Sequence, residues 1–332
     1  MRSAFGITLA IMLALTGLFY YVGYTPALVL KAVPTIMEKY FPGASLESLQ
    51  IKNQLLEYPS KLKLFDIHGA LRWKDEVYQF DIKQLDIIDF WETWKSRQQA
   101  KFKVTGLTIS KKNFELKNAN FNIALLVGDN SVKSGEGFFL AEDIQVTPYR
   151  ISNAQARFQA NHETIKISDF LTYAYGGKIK GEINLTLAPQ SAQVASLEFS
   201  GMSSEQMKTI NKSFFSQLVG EFNGTLRLNK INDQIQILAL LADMPKGAVL
   251  APALAEKIIG YMTDEEKRYA LQTILKNQHA LKLSKAEFRI LNINQNLAGV
   301  TFTLDNKERN LHVQETVNID IARILQKIVW KF

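Results

Sequence analysis

Over most of its length this chain alternates apolar and polar residues with a period of two. That pattern admits little besides antiparallel sheet with one dry and one solvated face. In residues 177–187, Ile179, Ile183, Leu185 and Leu187 alternate with Lys178, Lys180, Glu182, Asn184 and Thr186. In 220–229, Phe222, Leu226 and Leu228 take one side, and Glu221, Asn223, Thr225, Arg227 and Asn229 take the other. Val300, Phe302 and Leu304 alternate with Thr301 and Thr303, as Ala154, Ala156, Phe158 and Ala160 do with Gln155, Arg157 and Gln159. Between Phe102, Val104 and the following Leu107, Ile109 the apolar phase slips by one residue at Thr105-Gly106, which predicts a β-bulge. Turn signals punctuate the strands at Lys74-Asp75, Gly128-Asp129-Asn130, Asn161-His162, Pro189-Gln190, Asn232-Asp233 and Asp305-Asn306, so successive strands read as meandering hairpins. Roughly 15 strands at about 4.8 Å apart give a sheet on the order of 70 Å long. A flat open sheet of that size is unstable, so it must curl, split or carry helices on one face.

Four helical stretches interrupt the alternation. Ile87, Phe90, Trp91 and Trp94 recur at helical spacing after Asp86 and Asp89, as a cap on the sheet or a membrane-touching segment. Ser203 and Ser204 precede a second helical run, to about Leu218. Residues 251–277 form the clearest helical block, in which Thr263 and Glu266 stand at capping-box spacing. Ile321, Ile324, Leu325, Ile328 and Val329 make an apolar stripe near the end, for core packing first and a partner or membrane contact second.

The first thirty residues follow a different rule. No side chain from Ser3 to Leu30 is charged, and residues 4–22 alone suffice to cross a hydrocarbon core of about 30 Å. Arg2 precedes the run, and Tyr20, Tyr21 and Tyr24 fall where an interfacial aromatic belt lies. The expected organisation is a membrane anchor over 1–30, with the N-terminus cytoplasmic, and an exported β-rich region over 31–332 with a sub-boundary near 250. A cleaved signal peptide and a buried core helix are the other readings of the segment.

Chemistry is limited by what these 332 residues contain. With 47% apolar and 21% charged residues the chain can bury a sizeable core. It has no cysteine, which removes disulfides, thiolate nucleophiles and thiolate metal sites. The net charge of +7 comes from Lys and Arg scattered among strand-like segments, which describes a solvated face with at most weak attraction to anionic head groups and gives no nucleic-acid patch. No phosphate loop, dinucleotide fingerprint, nucleophile elbow or zinc-protease motif occurs. His68, His162, His279 and His312 are dispersed without a second ligand at metal spacing. Asp264-Glu265-Glu266 open a helix, where they complement its dipole. No enzyme activity, cofactor or metal is expected.

Residues 167–181, Ile-Ser-Asp-Phe-Leu-Thr-Tyr-Ala-Tyr-Gly-Gly-Lys-Ile-Lys-Gly, resemble the Tyr-Gly-Gly-then-strand unit of AsmA-like proteins. The run Leu197-Glu198-Phe199-Ser200-Gly201, the helix from Ser203 and then Leu218-Val219-Gly220-Glu221-Phe222-Asn223-Gly224 are similar to the following unit of that family. Periplasm-facing proteins related to YdbH and TamB are an equally close neighbour. AsmA-like proteins are often much longer, and the block 251–277 is foreign to their repeat. The resemblance implies an inner-membrane anchor, a periplasmic antiparallel sheet curled into a groove and capped by helices, and a role in moving or organising phospholipid for the outer membrane. Ile179, Ile183, Leu185, Phe222, Leu226, Leu228, Ile235 and Ile237 would line such a groove. The same alternation equally suits a closed core, and with it a structural or assembly factor of the envelope without lipid cargo. A sheet of this reach points to an envelope partner or self-association if two membranes are to be bridged.

Overall fold

The computed structural model describes residues 44–57, 61–73, 76–89, 99–128, 131–161, 163–186, 193–231, 234–277, 280–292 and 297–320. The expected membrane helix with Tyr20, Tyr21 and Tyr24, the Trp91–Trp94 segment and the stripe after Asp320 lie outside them. Among the described residues no helix is long and apolar enough to cross a membrane. The fold is mainly β, with seventeen strands in antiparallel sheet among the described residues. The chain divides into two compact units, the first running to His162 and the second starting at Glu163.

The first unit is a meander of seven strands: β1 (Ala44–Glu57), β2 (Lys61–Trp73), β3 (Glu76–Ile88), β4 (Gln99–Lys111), β5 (Phe114–Gly128), β6 (Ser131–Val146) and β7 (Tyr149–Asn161). Each pairs antiparallel with the next. Alternation puts one side of every strand into the core, where Leu64, Ile67, Tyr78, Phe80, Val104 and Ile109 are only 0–2% exposed. The expected bulge is present: the register between β4 and β5 shifts between Val104 and Leu107, and Gly106 sits at φ +67°. A side chain is disfavoured there both by the backbone and by Lys83, whose Cδ lies 2.6 Å from where a Cβ would stand. The Gly106 N–H instead donates to Asn120 Oδ1 at 3.0 Å.

Two sequence expectations at the end of β3 are corrected. Ile87 is a buried strand residue opposite Phe102, and Asp86 belongs to the same strand rather than to a helix start. The helical spacing of Ile87 with Phe90 is coincidental, because Leu85 and Ile87 continue the period of two. Asp86 is 2% exposed and is neutralised by Lys61 at 2.8 Å, with Gln84 Nε2 donating to it at 2.6 Å. Asp86 faces away from the inward Leu85 and Ile87, and that pairing is what permits a carboxylate to be buried on that side of the sheet.

The second unit opens with its own meander of β8 (Thr164–Ala174), β9 (Gly177–Thr186), β10 (Gln193–Ser203), β11 (Leu218–Ile231) and β12 (Gln234–Met244). Two one-turn helices, α1 (Ser204–Met207) and α2 (Lys212–Phe215), fill the β10–β11 connection, and Asn211 caps α2 by accepting the Phe214 N–H. After β12 the chain leaves the meander through β13 (Ala248–Leu250), α3 (Pro252–Gly260), α4 (Glu265–Asn277) and β14 (Leu281–Leu283). It returns as β15 (Lys285–Asn292), which pairs directly with β12, followed by β16 (Leu297–Asn306) and β17 (Leu311–Asp320). The helical block is thus an excursion from one hairpin. It packs into the same core as the strands: Ala255, Ile258, Ile259, Met262 and Leu271 meet Met244, Leu304 and Val313.

Local signals in this unit are shifted by a residue or two from the sequence reading. The capping box at Thr263 and Glu266 does not form. Asp264 caps α4, accepting the Lys267 N–H at 3.1 Å, while the Thr263 hydroxyl donates to Glu315 at 3.2 Å. Asp264 immediately precedes the first helical residue, so its short carboxylate reaches the third amide and displaces Thr263 from that role. Asp305 and Asn306 are the last residues of β16; the turn is the 3-10 segment Lys307–Arg309, closed by Asn310 at φ +48°.

Candidate functional site

The strands of the second unit align their apolar side chains in rows that run across the sheet, because directly opposite residues in antiparallel pairs share a face. The row nearest the helices is core: Met202 lies opposite Phe222, and Met244, Ala286, Leu304 and Val313 face one another in succession. All six are buried. Phe222 packs edge-on against Phe215 of α2 with ring centroids 6.0 Å apart, so this candidate groove residue sits beneath the helical cover. The next row runs Ile179, Phe199, Gly224, Ala242, Phe288 and Phe302. At Gly224 a Cβ would collide with the Leu241 carbonyl and lie 2.7 Å from the Phe199 ring, so glycine is what allows the ring to lie across the strand. Ile179 and Phe199 are half-buried against the core.

Beyond these rows the cover ends and the apolar face continues. Phe170, Gly181, Leu197, Leu226, Leu240, Ile290, Val300 and Val317 are successive cross-strand partners from β8 to β17. Every one is half-buried and none is charged, and Val317, at the β17 end, also packs against the core. Seven interstrand steps of about 4.8 Å make this row roughly 34 Å long. A shorter row follows: Ile167, Ile183, Ala195 and Leu228 are half-buried, and the backbone of Ile237 pairs with Leu228. Leu238, the extra residue where the β11–β12 register shifts, is 44% exposed. The backbones of Leu185 and Ile235 pair with Ile165 and Lys230 at the outer ends of their strands.

Of the eight groove candidates, Ile183, Leu226 and Leu228 therefore stand in the partly open rows, and Ile179 and Phe222 belong to the covered side. Phe170, Leu197, Leu240, Ile290 and Val317 are not among those candidates, although each obeys the alternation of its own strand. Phe170, Leu197 and Leu240 join the row through the register of consecutive hairpins, whereas Ile290 and Val317 join it only through the β12–β15 pairing, which the intervening excursion hides from a linear reading.

Charge lies on the other face and at the strand ends, with one exception: Glu315 stands opposite Phe302 on the apolar side, where it accepts the Thr263 hydroxyl. Lys180 and Glu198 pair across strands at 3.1 Å, and Glu287 is held between Arg289 at 2.6 Å and Lys285 at 3.3 Å. Burial is the largest influence on the Glu287 carboxyl and pushes it up, but the two cations together outweigh it and hold it below its ordinary value. In the first unit the Tyr78 hydroxyl donates to Glu76 at 2.8 Å and accepts from Lys111 at 3.0 Å, with the ammonium also 4.8 Å from the ring centre. The Lys111 contact, and after it Tyr78, holds the Glu76 carboxyl below its ordinary value; burial pushes the phenol up. Burial pulls the Lys111 ammonium down, but its bonds to Glu76 and Tyr78 prevail and leave it raised. These shifts keep all three groups in one protonation state near neutrality, as suits a tether rather than proton transfer. His68 pairs with Asp81, and His312 with Asp305 at 2.5 Å, each as an exposed cross-strand couple. Among the described residues no group of three or more His, Asp or Glu could hold a metal ion. The chain matches no family model, no curated protein and no solved structure.

Proposed function

We propose that this is a membrane-anchored envelope protein, similar to AsmA-like proteins, whose second unit binds or conducts phospholipid along the apolar face of its sheet. The observation that carries the reading is the uncharged, half-buried row from Phe170 to Val317, which crosses eight strands beside a covered core. An ordinary core ends where its cover ends, and polar residues take over. Here the apolar side chains continue past the helices, as a surface for acyl chains requires. Each methylene shielded there contributes roughly 0.8 kcal/mol, and successive positions along the row are chemically alike, so a chain could shift along it without a coupled energy source. Head groups would remain in water beyond the strand ends.

The test is photo-crosslinking in membranes with a phospholipid carrying a diazirine in its acyl chain, followed by peptide mapping of the full-length protein. Adducts on peptides containing Leu197, Leu226 and Leu240, lost in Leu226→Asp, support the reading. Adducts confined to residues 1–30 overturn it. A structural role in the envelope is the second reading, favoured by the first unit, whose apolar side is buried.

A further inference from the structure

The apolar side of the first unit is buried. A sheet buries a face only against a second layer. Six consecutive strands offer a source for one within the sheet. Each breaks its period of two once, with a single step of three between inward residues: Leu64 to Ile67, Ile82 to Leu85, Val104 to Leu107, Leu116 to Ala119, Ala141 to Ile144 and Ile151 to Ala154. The breaks are aligned. Ile67 and Leu64 pair with Ile82 and Leu85, which pair with Leu107 and Val104. Leu116 pairs with Ile144, which pairs with Ile151. Between β4 and β5 the line jogs by two residues, and there Gly106 donates to Asn120, whose Nδ2 donates to the Asn118 carbonyl at 3.3 Å.

Four of the six strands put a left-handed residue at the break: Asp66 at φ +52°, Gly106 at +67°, Asn118 at +48° and Asn153 at +49°. Gly, Asn and Asp are the residues that tolerate this conformation. On β6, Glu142 receives the Asn118 amide at 3.2 Å. On β3, Lys83 covers Gly106. Residues of this kind bend and twist a strand locally, and bends in register add across neighbours.

We infer that this line is a single crease, about which the sheet of the first unit bends over its own apolar side, and not six separate irregularities. The inference stands apart from what the second unit binds. Its test uses Asp66→Val and Asn153→Val, alone and combined, in the full-length protein. The sites lie five strands apart, about 24 Å, where unconnected substitutions are additive. Asp66→Gly and Asn153→Gly, which keep the left-handed backbone, are the controls. The expected result is a lowered Tm for each valine variant, a combined loss clearly smaller than the sum, and a several-fold rise in fluorescence of the apolar probe ANS below the transition. The glycine variants should show little of either. Additive losses, unchanged ANS binding or glycine variants as damaged as valine ones overturn it. If a valine variant does not fold, Asp66→Ala and Asn153→Ala are scored by the same three criteria.

Discussion

At the scale of single residues, charge partners decide where a buried carboxylate is tolerated. Asp86 is buried and Lys61 is about a third exposed, so losing either has unequal consequences. Lys61→Met leaves a buried carboxylate with Gln84 as its hydrogen-bond donor and Lys63 and Lys103 opposite it on the neighbouring strands, and by the usual cost of losing a buried charge partner should lower unfolding free energy by up to about 3 kcal/mol in urea titration. Asp86→Asn keeps a hydrogen-bonding side chain and frees an ammonium that can reach water, so it should cost less than half as much. Equal losses would refute the asymmetry. The linear sequence conceals this pair, because nothing local distinguishes Asp86 from a helix-opening acid. Asp264 makes a second case. The Lys267 amide is the main cause holding its carboxyl below the ordinary value. A depressed folded pKa means stabilisation that is fully present above the unfolded value, about 3.9, and disappears as pH falls through the folded one. Asp264→Ala should therefore melt lower than the parent at pH 7, the gap should close below about pH 4, and Asp264→Asn should retain most of the cap. A gap independent of pH would assign the effect to something other than the carboxylate.

At the scale of elements, legibility depends on whether a pattern is complete within one strand. The strands of 177–187, 220–229 and 297–306 are recoverable from alternation because both faces are sampled within ten residues. The slip at Thr105-Gly106 is visible for the same reason. Its five counterparts carry the same three-residue step but pass for noise, since only their alignment across neighbours gives them meaning. Helices are less legible: Ser203–Leu218 reads as one run, whereas Asn211 stops it and restarts a second turn. The block 251–277 is clear as helix, but its cover over Met244 and Leu304 is not. That cover separates core from surface within one apolar face, which leads to a contrast in cost. Ile259→Ala, on the buried face of α3, should destabilise by about 2–5 kcal/mol through a cavity. Leu226→Ala, two rows out and half-exposed, removes less buried surface and leaves no closed void, so about 1 kcal/mol is expected. Comparable losses in thermal or urea unfolding would mean that the outer row is as closed as the inner one.

For the whole molecule, the proposed lipid reading divides into a row that stores a lipid and one that passes it on, and the two differ in how they would respond to damage at its ends. A binding surface is local: a charge at Val317, on β17, leaves acyl contacts at Leu197, on β10, largely intact. A conducting surface is a series of steps, and a barrier anywhere in a series slows the whole. A carboxylate placed among acyl chains must be desolvated or must displace the chain, and each alternative costs several times thermal energy. If the row conducts, Leu197→Asp and Val317→Asp should each reduce protein-dependent phospholipid transfer between two vesicle populations about tenfold or more. Acyl photo-adducts, by contrast, should fall only around the altered strand. The two losses should not multiply in the double variant, because the first barrier already limits the flow. Transfer that survives Val317→Asp while local adducts vanish would make the row a binding surface with its outer strands dispensable, and would confine the lipid to β8–β12.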